Sequence, residues 1–373
     1  MRRRHYLASL PALLAGCLDQ SDDNPSSPTQ SPTPPTETPT PTATPEPTPE
    51  PFACEPVLKR PDASSLSRND IESAIEEVDP SLRTEMAISE FGSAKSDQPE
   101  EHVISHPEPP DEPIVGVVEP TVETLPGEVE FTIHNHGDQQ FSFNPAGPSL
   151  WRAGDGTWSR IGPREKTLTI TGIEPDETYS WTFDLASAVR GFWTGGRGQE
   201  IGGLGPGVYA FVIDGSLEDP DKPFGAKSEG SLTLVAVFGL AGDPLAIESE
   251  PAIFEDDGTI RVLFEEEDWK KIPYDAPDEE TEDLLIEPVE AADGSLTLEQ
   301  AAQSEYLTRG LAYLFCEDTP EKIVVEVPEH QASSVVGDVA GLARLDDPRD
   351  SPARVSLLNE SFGLSTEPLS HHD

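Results

Sequence analysis

His134 and His136 stand two residues apart in Thr132-Ile133-His134-Asn135-His136, a spacing that in a strand sets both imidazoles on one face. With His102, His106 or His330 they could ligate copper or zinc, both of which accept imidazole nitrogen. Asn135-His136-Gly137-Asp138 also reads as a polar hairpin turn, which needs solvent and no ion, so no metal site is assigned. With 71 acidic residues, no carboxylate pair stands out for acid/base work. Asp256-Asp257, Glu265-Glu266-Glu267-Asp268 and Asp278-Glu279-Glu280 read as solvated faces, without the ordered spacing and central glycine of a calcium loop. Gly-x-Ser-x-Gly, His-Glu-x-x-His, Cys-x-x-Cys, phosphate-loop and dinucleotide fingerprints are all absent. Gly195-Gly196-Arg197-Gly198 and Gly202-Gly203 lead into no helix, so they read as a flexible loop and not as a phosphate cradle. Phe192-Trp193 in that glycine-rich stretch is a candidate apolar contact, unless it tucks into a sheet edge. No catalytic, cofactor-binding or metal-ligating residue is expected, and no cofactor.

Cysteine chemistry is left. Cys54 and Cys316 are the two cysteines outside the N-terminal stretch, and in an exported chain they are a disulfide candidate, with two free thiols as the alternative. Closing a loop of this length stabilises by roughly 5 kcal/mol on the chain-entropy model. The third cysteine, Cys17, ends Leu14-Ala15-Gly16-Cys17 after an arginine cluster and an apolar stretch from Tyr6 to Ala15, too short to span a membrane. Arg3-Arg4-His5-Tyr6-Leu7 suits the twin-arginine export route. The whole leader resembles the lipobox leaders of exported lipoproteins. That resemblance implies a signal peptide over 1–16 and a lipid on the Cys17 thiol.

Charge sets the habitat. A net charge of −47 over 373 residues, spread along the chain, repels nucleic acid and anionic lipid. At molar salt the Debye length falls to about 3 Å and most of the self-repulsion is screened. This acidity with few lysines, joined to the leader, resembles surface lipoproteins of salt-loving archaea. After Cys17 the composition is almost wholly Pro, Thr, Ser, Glu and Asp, which cannot bury a core, so 17–52 is expected to be a disordered stalk. In extended polyproline form about thirty residues reach roughly 90 Å. Its threonines suit O-linked sugars, and Asn359-Glu360-Ser361 is a bare N-glycosylation sequon.

From 113 to 246 short alternating strands are parted by Gly, Pro and Asp turns, the pattern of an all-β sandwich. Val129, Phe131 and Ile133 share one face, as do Tyr179, Trp181 and Phe183, and Thr167 to Thr171 alternates as a further strand. Ala153-Gly154-Asp155-Gly156 turns a hairpin between Leu150 and Trp158. These turns, with Ile173 to Tyr179 and Leu204-Gly205-Pro206-Gly207-Val208-Tyr209, resemble secreted bacterial immunoglobulin-like domains. The resemblance covers about a third of the chain and implies that Tyr209 bonds back to the preceding turn, as a tyrosine corner does.

Flanking regions mix helix and strand. Asn69 to Val78 reads as an amphipathic helix stopped by Pro80, and Thr297-Leu298-Glu299-Gln300 as a capping box opening one helix through Leu314. Strands are expected at Thr259–Phe264, Leu284–Glu287 and Ile323–Val327. The expected fold is therefore mainly β: an immunoglobulin-like sandwich over 113–246 with an α+β unit over 247–373, and 53–112 packing with that C-terminal unit. The function expected is that of a non-catalytic binding or structural lipoprotein at the outer face of the cell membrane, with a surface protein or glycan as partner. A solute-binding lipoprotein serving a transporter is the alternative, and an exported hydrolase a third.

Overall fold

Val129, Phe131 and Ile133 are fully buried while Glu128 before them and Glu130 between the first two are exposed, the signature of a strand with one dry face. In the computed structural model, residues 54, 57–61, 63–78, 101–105, 113–154, 156–163, 169–188, 199–218, 230–249, 252–254, 258–262, 281–316, 319–343, 345, 353–358 and 360–368 are described. The N-terminal elements are β1 (Val57–Lys59), α1 (Arg68–Glu77) and β2 (Glu101–Ser105). Then follow β3 (Ile114–Glu119), β4 (Val122–Thr124), β5 (Gly127–Asn135), β6 (Gln140–Phe143), β7 (Ser149–Gly154) and β8 (Thr157–Gly162). Next come β9 (Thr171–Ile173), β10 (Thr178–Leu185), β11 (Gln199–Ile201), β12 (Gly207–Glu218) and β13 (Gly230–Ala241). The C-terminal third holds β14 (Ala246–Glu248), β15 (Ala252–Phe254), β16 (Thr259–Val262), β17 (Thr281–Pro288) and β18 (Gly294–Ser295). It continues with α2 (Leu298–Ala301), α3 (Glu305–Leu311), a 3-10 turn (Ala312–Phe315), β19 (Lys322–Pro328), α4 (Glu329–Leu342), β20 (Ala353–Leu357) and β21 (Glu360–Pro368).

Two sheets make the sandwich. One runs β11-β10-β5-β3; the other runs β2-β13-β12-β6-β9, with β7 also along β12 and β4 along β13. The chain leaves the first sheet after β3 and joins the second as β4, parallel to β13. Together with the antiparallel β12–β13 pair and β6 and β7 along the other side of β12, this is immunoglobulin-like strand order. Between the sheets Phe211 stacks on Phe131, Phe183 and Phe238 at centroid distances of 5.6, 4.6 and 4.9 Å.

Leu232 and Leu234 to Phe238 are buried on both faces of β13, where an outer strand would alternate. The cause is α1, whose Ile71 and Ile75 cover the outer face with Trp151, Trp158, Val208 and Val235. Its start is fixed by a capping box: the Ser67 hydroxyl accepts from the Asp70 amide, and the Asp70 carboxylate accepts from the Ser67 amide at 2.9 Å. A third layer holds the seven-stranded sheet β15-β16-β19-β17-β21-β20-β18, with Leu298, Leu307, Leu311, Val335 and Val339 packed in its core. The molecule is mainly β, a sandwich with an added α+β unit.

Four expectations are corrected in detail. Asn135 to Asp138 is no hairpin, because β5 and β6 belong to different sheets. Asn135 is buried there, its amide donating to the carbonyls of Gln139 (2.8 Å) and Ile173 (3.1 Å) while its Oδ1 accepts from Gly137 N, and so steers the crossover. The expected strand over Thr167–Thr171 begins only at Thr171: Thr169 and Ile170 are irregular, Ile170 is 67% exposed, and 164–168 lie outside the described residues. The single helix from Leu298 is two short ones and a 3-10 turn, since Ser304 takes extended backbone and caps a new start at Leu307 N. The segment 53–112 is divided: β1 pairs β14 and Leu58 enters the C-terminal core, whereas α1 and β2 join the sandwich. Cys54 and Cys316 lie with Cα atoms 6.1 Å apart and form a disulfide, 262 residues apart in sequence.

Two glycines should respond oppositely to a methyl group. At Gly239 an added Cβ overlaps Ile71 and meets Ile75 Cδ1 at 3.1 Å, so Gly239→Ala should cost about 1–3 kcal/mol by displacing α1. At exposed Gly337 in α4 an added Cβ meets nothing within 4 Å, so Gly337→Ala should gain about 0.5–1 kcal/mol. Denaturant unfolding of both variants in molar salt reads the two signs.

Candidate functional site

α2 is only one turn long, yet it brings a charged residue into the interior. Thr297 caps it through the reciprocal bonds of the capping box, Gln300 N to the Thr297 hydroxyl at 3.2 Å and Thr297 N to Gln300 Oε1 at 2.8 Å. That locks the turn and sends Glu299 and Gln300 toward the sandwich. Gln300 Nε2 donates to the carbonyl of Arg160 at 2.8 Å, and Gln303 Nε2 to that of Gly202 at 3.0 Å. Gly203 sits in the left-handed region (φ +67°), where a Cβ would meet Ala302 at 2.6 Å. At Gly205 a Cβ would stand 3.0 Å from Glu299 Oε1. Gly203 and Gly205 thus present no side chain at the two points where α2 approaches.

Glu299 is 2% exposed and lies between two guanidinium groups. Its Oε1 is 3.0 Å from Arg152 Nε, on β7, and its Oε2 is 3.5 Å from Arg60 Nη2, just after β1. Arg152 is 10% exposed and also reaches the Pro206 carbonyl at 3.5 Å through Nη2; Arg60 is 37% exposed. The neighbouring Tyr209 hydroxyl donates to the Gly205 carbonyl at 2.7 Å, the geometry of a tyrosine corner. Complete burial, and then the Glu299 charge, push the Tyr209 phenol well above its ordinary value, against the opposing pull of Arg152.

These residues border a cleft of about 830 Å³ between the sandwich and the C-terminal unit. Arg60, Ser64 and Leu66 form one side, Arg152, Thr157 and Ser159 a second, and Ser295, Thr297 and Ser356 a third. Glu299 is the one carboxylate among the lining residues described. The arrangement can bind: it offers fixed positive charge, hydroxyls and a dry apolar margin of Leu66, Leu245 and Leu358.

The residues singled out from the sequence lie elsewhere. The rings of His134 and His136 stack at 5.7 Å, but no His, Cys, Asp or Glu cluster suited to a metal occurs among the described residues. Partial burial, then the His136 charge, hold the His134 imidazole below its usual value, with Glu119 pulling the other way. Cys17, the stalk, Phe192-Trp193, His106 and the acidic runs at 256–257, 265–268 and 278–280 lie outside the described residues. Neither Arg60, Arg152 nor Glu299 was marked by a motif; the one signal was an acid within a capping box that otherwise opened an apolar helix.

No protein-family model and no curated protein matches the chain. Among solved structures it is similar to the ASH/PapD-like domain of human CEP192 (PapD-like domain 7), at 16% identity and a TM-score of 0.18, over 40% of this chain and 96% of that one.

Glu299→Gln leaves Arg152 without its counter-charge in the interior and should cost about 3–5 kcal/mol, whereas Arg60→Ala, at a partly exposed partner, should cost about 1 kcal/mol or less. Equal losses in denaturant unfolding would contradict this ranking. Tyr209 supplies a pH dependence. Its folded pKa is raised, so above pH about 10 the unfolded chain releases a proton that the native chain keeps, and stability falls as pH rises. From pH about 10 upward, the native protein should lose about 1.4 kcal/mol per unit more than Tyr209→Phe, read from unfolding curves at stepped pH.

Proposed function

We propose that the protein is a non-catalytic binding module, fastened to the outer face of the cell membrane by a lipid on Cys17 and raised from it by the stalk of 17–52. The observation that carries the binding role is the charged cleft between sandwich and C-terminal unit. A cleft of about 830 Å³ falls within the roughly 300–1,000 Å³ range of small-ligand pockets. Its carboxylate is engaged by Arg152 and Arg60 and has neither a histidine nor a second acid among the described lining residues to exchange a proton with. That favours holding a ligand over hydrolysing one, and a surface glycan or protein over nucleic acid, which the net charge of −47 repels. Placement at the cell surface rests on the leader: Arg3-Arg4, the apolar stretch and Leu14-Ala15-Gly16-Cys17. Capture of a solute for a transporter is the second reading, favoured by the same cleft lying between two units rather than on a sheet edge.

Fractionation of the native host tests the anchor. The protein should sediment with membranes, with a mass equal to the polypeptide from Cys17 plus a lipid, and Cys17→Ser should abolish the lipid mass. Uncleaved chain in the cytosol with an unmodified Cys17 thiol would sink the proposal.

A further inference from the structure

The described lining of the cleft departs from the charge balance of the chain that contains it. Acidic residues outnumber basic ones 71 to 24 along the chain, and twenty residues at that density would include about four acids. The twenty described residues that line the cleft include one, Glu299, and two arginines, Arg60 and Arg152. Among the described lining residues Glu299 offsets one of the two positive charges and leaves one arginine in excess. Arg152 is enclosed and committed to Glu299. Arg60 is different. It meets Glu299 through Nη2 at 3.5 Å, longer than a hydrogen bond should be, and its side chain remains 37% exposed. A guanidinium so placed keeps donors for a second carboxylate, which it binds in fork geometry.

Hydroxyls surround this cation. Ser64, Ser159 and Ser295 stand on three sides of the cleft, and none of the three hydroxyls is engaged with another described side chain. No aromatic ring occurs among its described lining residues. We infer that the cleft takes a hydroxylated organic acid, a sugar acid at the end of a glycan, with its carboxylate on Arg60 and its hydroxyls toward Ser64, Ser159 and Ser295. This rests on the reading of the protein as a binding module and names the class of its ligand. The location of Arg60 fits: the Cys54–Cys316 disulfide and the pairing of β1 with β14 fasten the short segment that carries it.

Calorimetric titration of the full-length protein in molar salt tests the inference, with glucuronate, glucose and inorganic phosphate as probes. Saturable binding of glucuronate is expected, with glucose and phosphate each at least about tenfold weaker. Arg60→Gln should weaken glucuronate at least about tenfold, and Arg60→Lys by less, since it keeps the charge and loses the fork. The inference is overturned by the absence of glucuronate binding, by glucose or phosphate binding as tightly, or by affinity unchanged in both Arg60 variants. A nitrophenyl glucuronide incubated alongside separates the two claims. Release of nitrophenolate, lost in Arg60→Gln, would support the sugar-acid site and defeat the non-catalytic reading; silent calorimetry with a lipidated, membrane-bound protein would defeat the site alone.

Discussion

Glu299 is the point through which three distant parts of the chain are held in one arrangement. Its carboxylate faces Arg60 from the N-terminal segment and Arg152 from the sandwich, while its backbone belongs to the C-terminal unit. Taking such ions out of water costs several kcal/mol each, so the cluster adds little net stability over apolar residues of the same size. What it adds is geometry. Apolar faces slide past one another at small cost, whereas a buried carboxylate 3.0 Å from a guanidinium tolerates no such shift. The surrounding sequence is shaped for it: Gly203 and Gly205 remove the side chains that would keep α2 off, and Tyr209 ties the same turn from beneath.

How much of this could be read from residues alone depended on whether the partner was local. The capping box at Thr297 is local, and that helix starts where its spacing set it; the helix read from Asn69 begins one residue earlier, at Arg68, behind a capping box at Ser67 that the amphipathic pattern did not show. Period-two faces are local too, so Val129, Phe131, Ile133, Trp181 and Phe183 were legible as core. Tyr209 was legible through the resemblance of Leu204 to Tyr209 to an immunoglobulin-like turn, and its acceptor is the Gly205 carbonyl of that turn. The crossover at Asn135 was not. A polar Asn-His-Gly-Asp run looks the same whether it turns a hairpin or bridges two sheets, and only the acceptors at Gln139 and Ile173 decide. The break at Ser304 was hidden likewise, since Ala301, Ala302, Tyr306 and Leu311 keep a helical period across it and all are buried. α4 went unread because Gly337 and Gly341 dilute its helical propensity, and packing of Val335, Val339 and Ala340 on the sheet outweighs that. The ion cluster was the least legible part: its members are separated by about 90 and 150 positions, and no periodicity links them.

Position in the fold also explains why the cleft escapes the field of the protein around it. A surface carrying a large negative charge repels anions at low ionic strength, and a single arginine on such a surface would be neutralised by its neighbours. Two devices prevent that here. The described lining holds one acid, and burial of Glu299 against Arg152 lets one ion pair close on itself while Arg60 stays partly open. In strong brine the rest of the surface is screened within about 3 Å, but a charge recessed between two packed units is screened less than one on a flat face. A recessed arginine should therefore attract a carboxylate more strongly in molar salt than one on a flat face would, because the repulsion that salt removes lies outside the cleft and the attraction that remains lies within it.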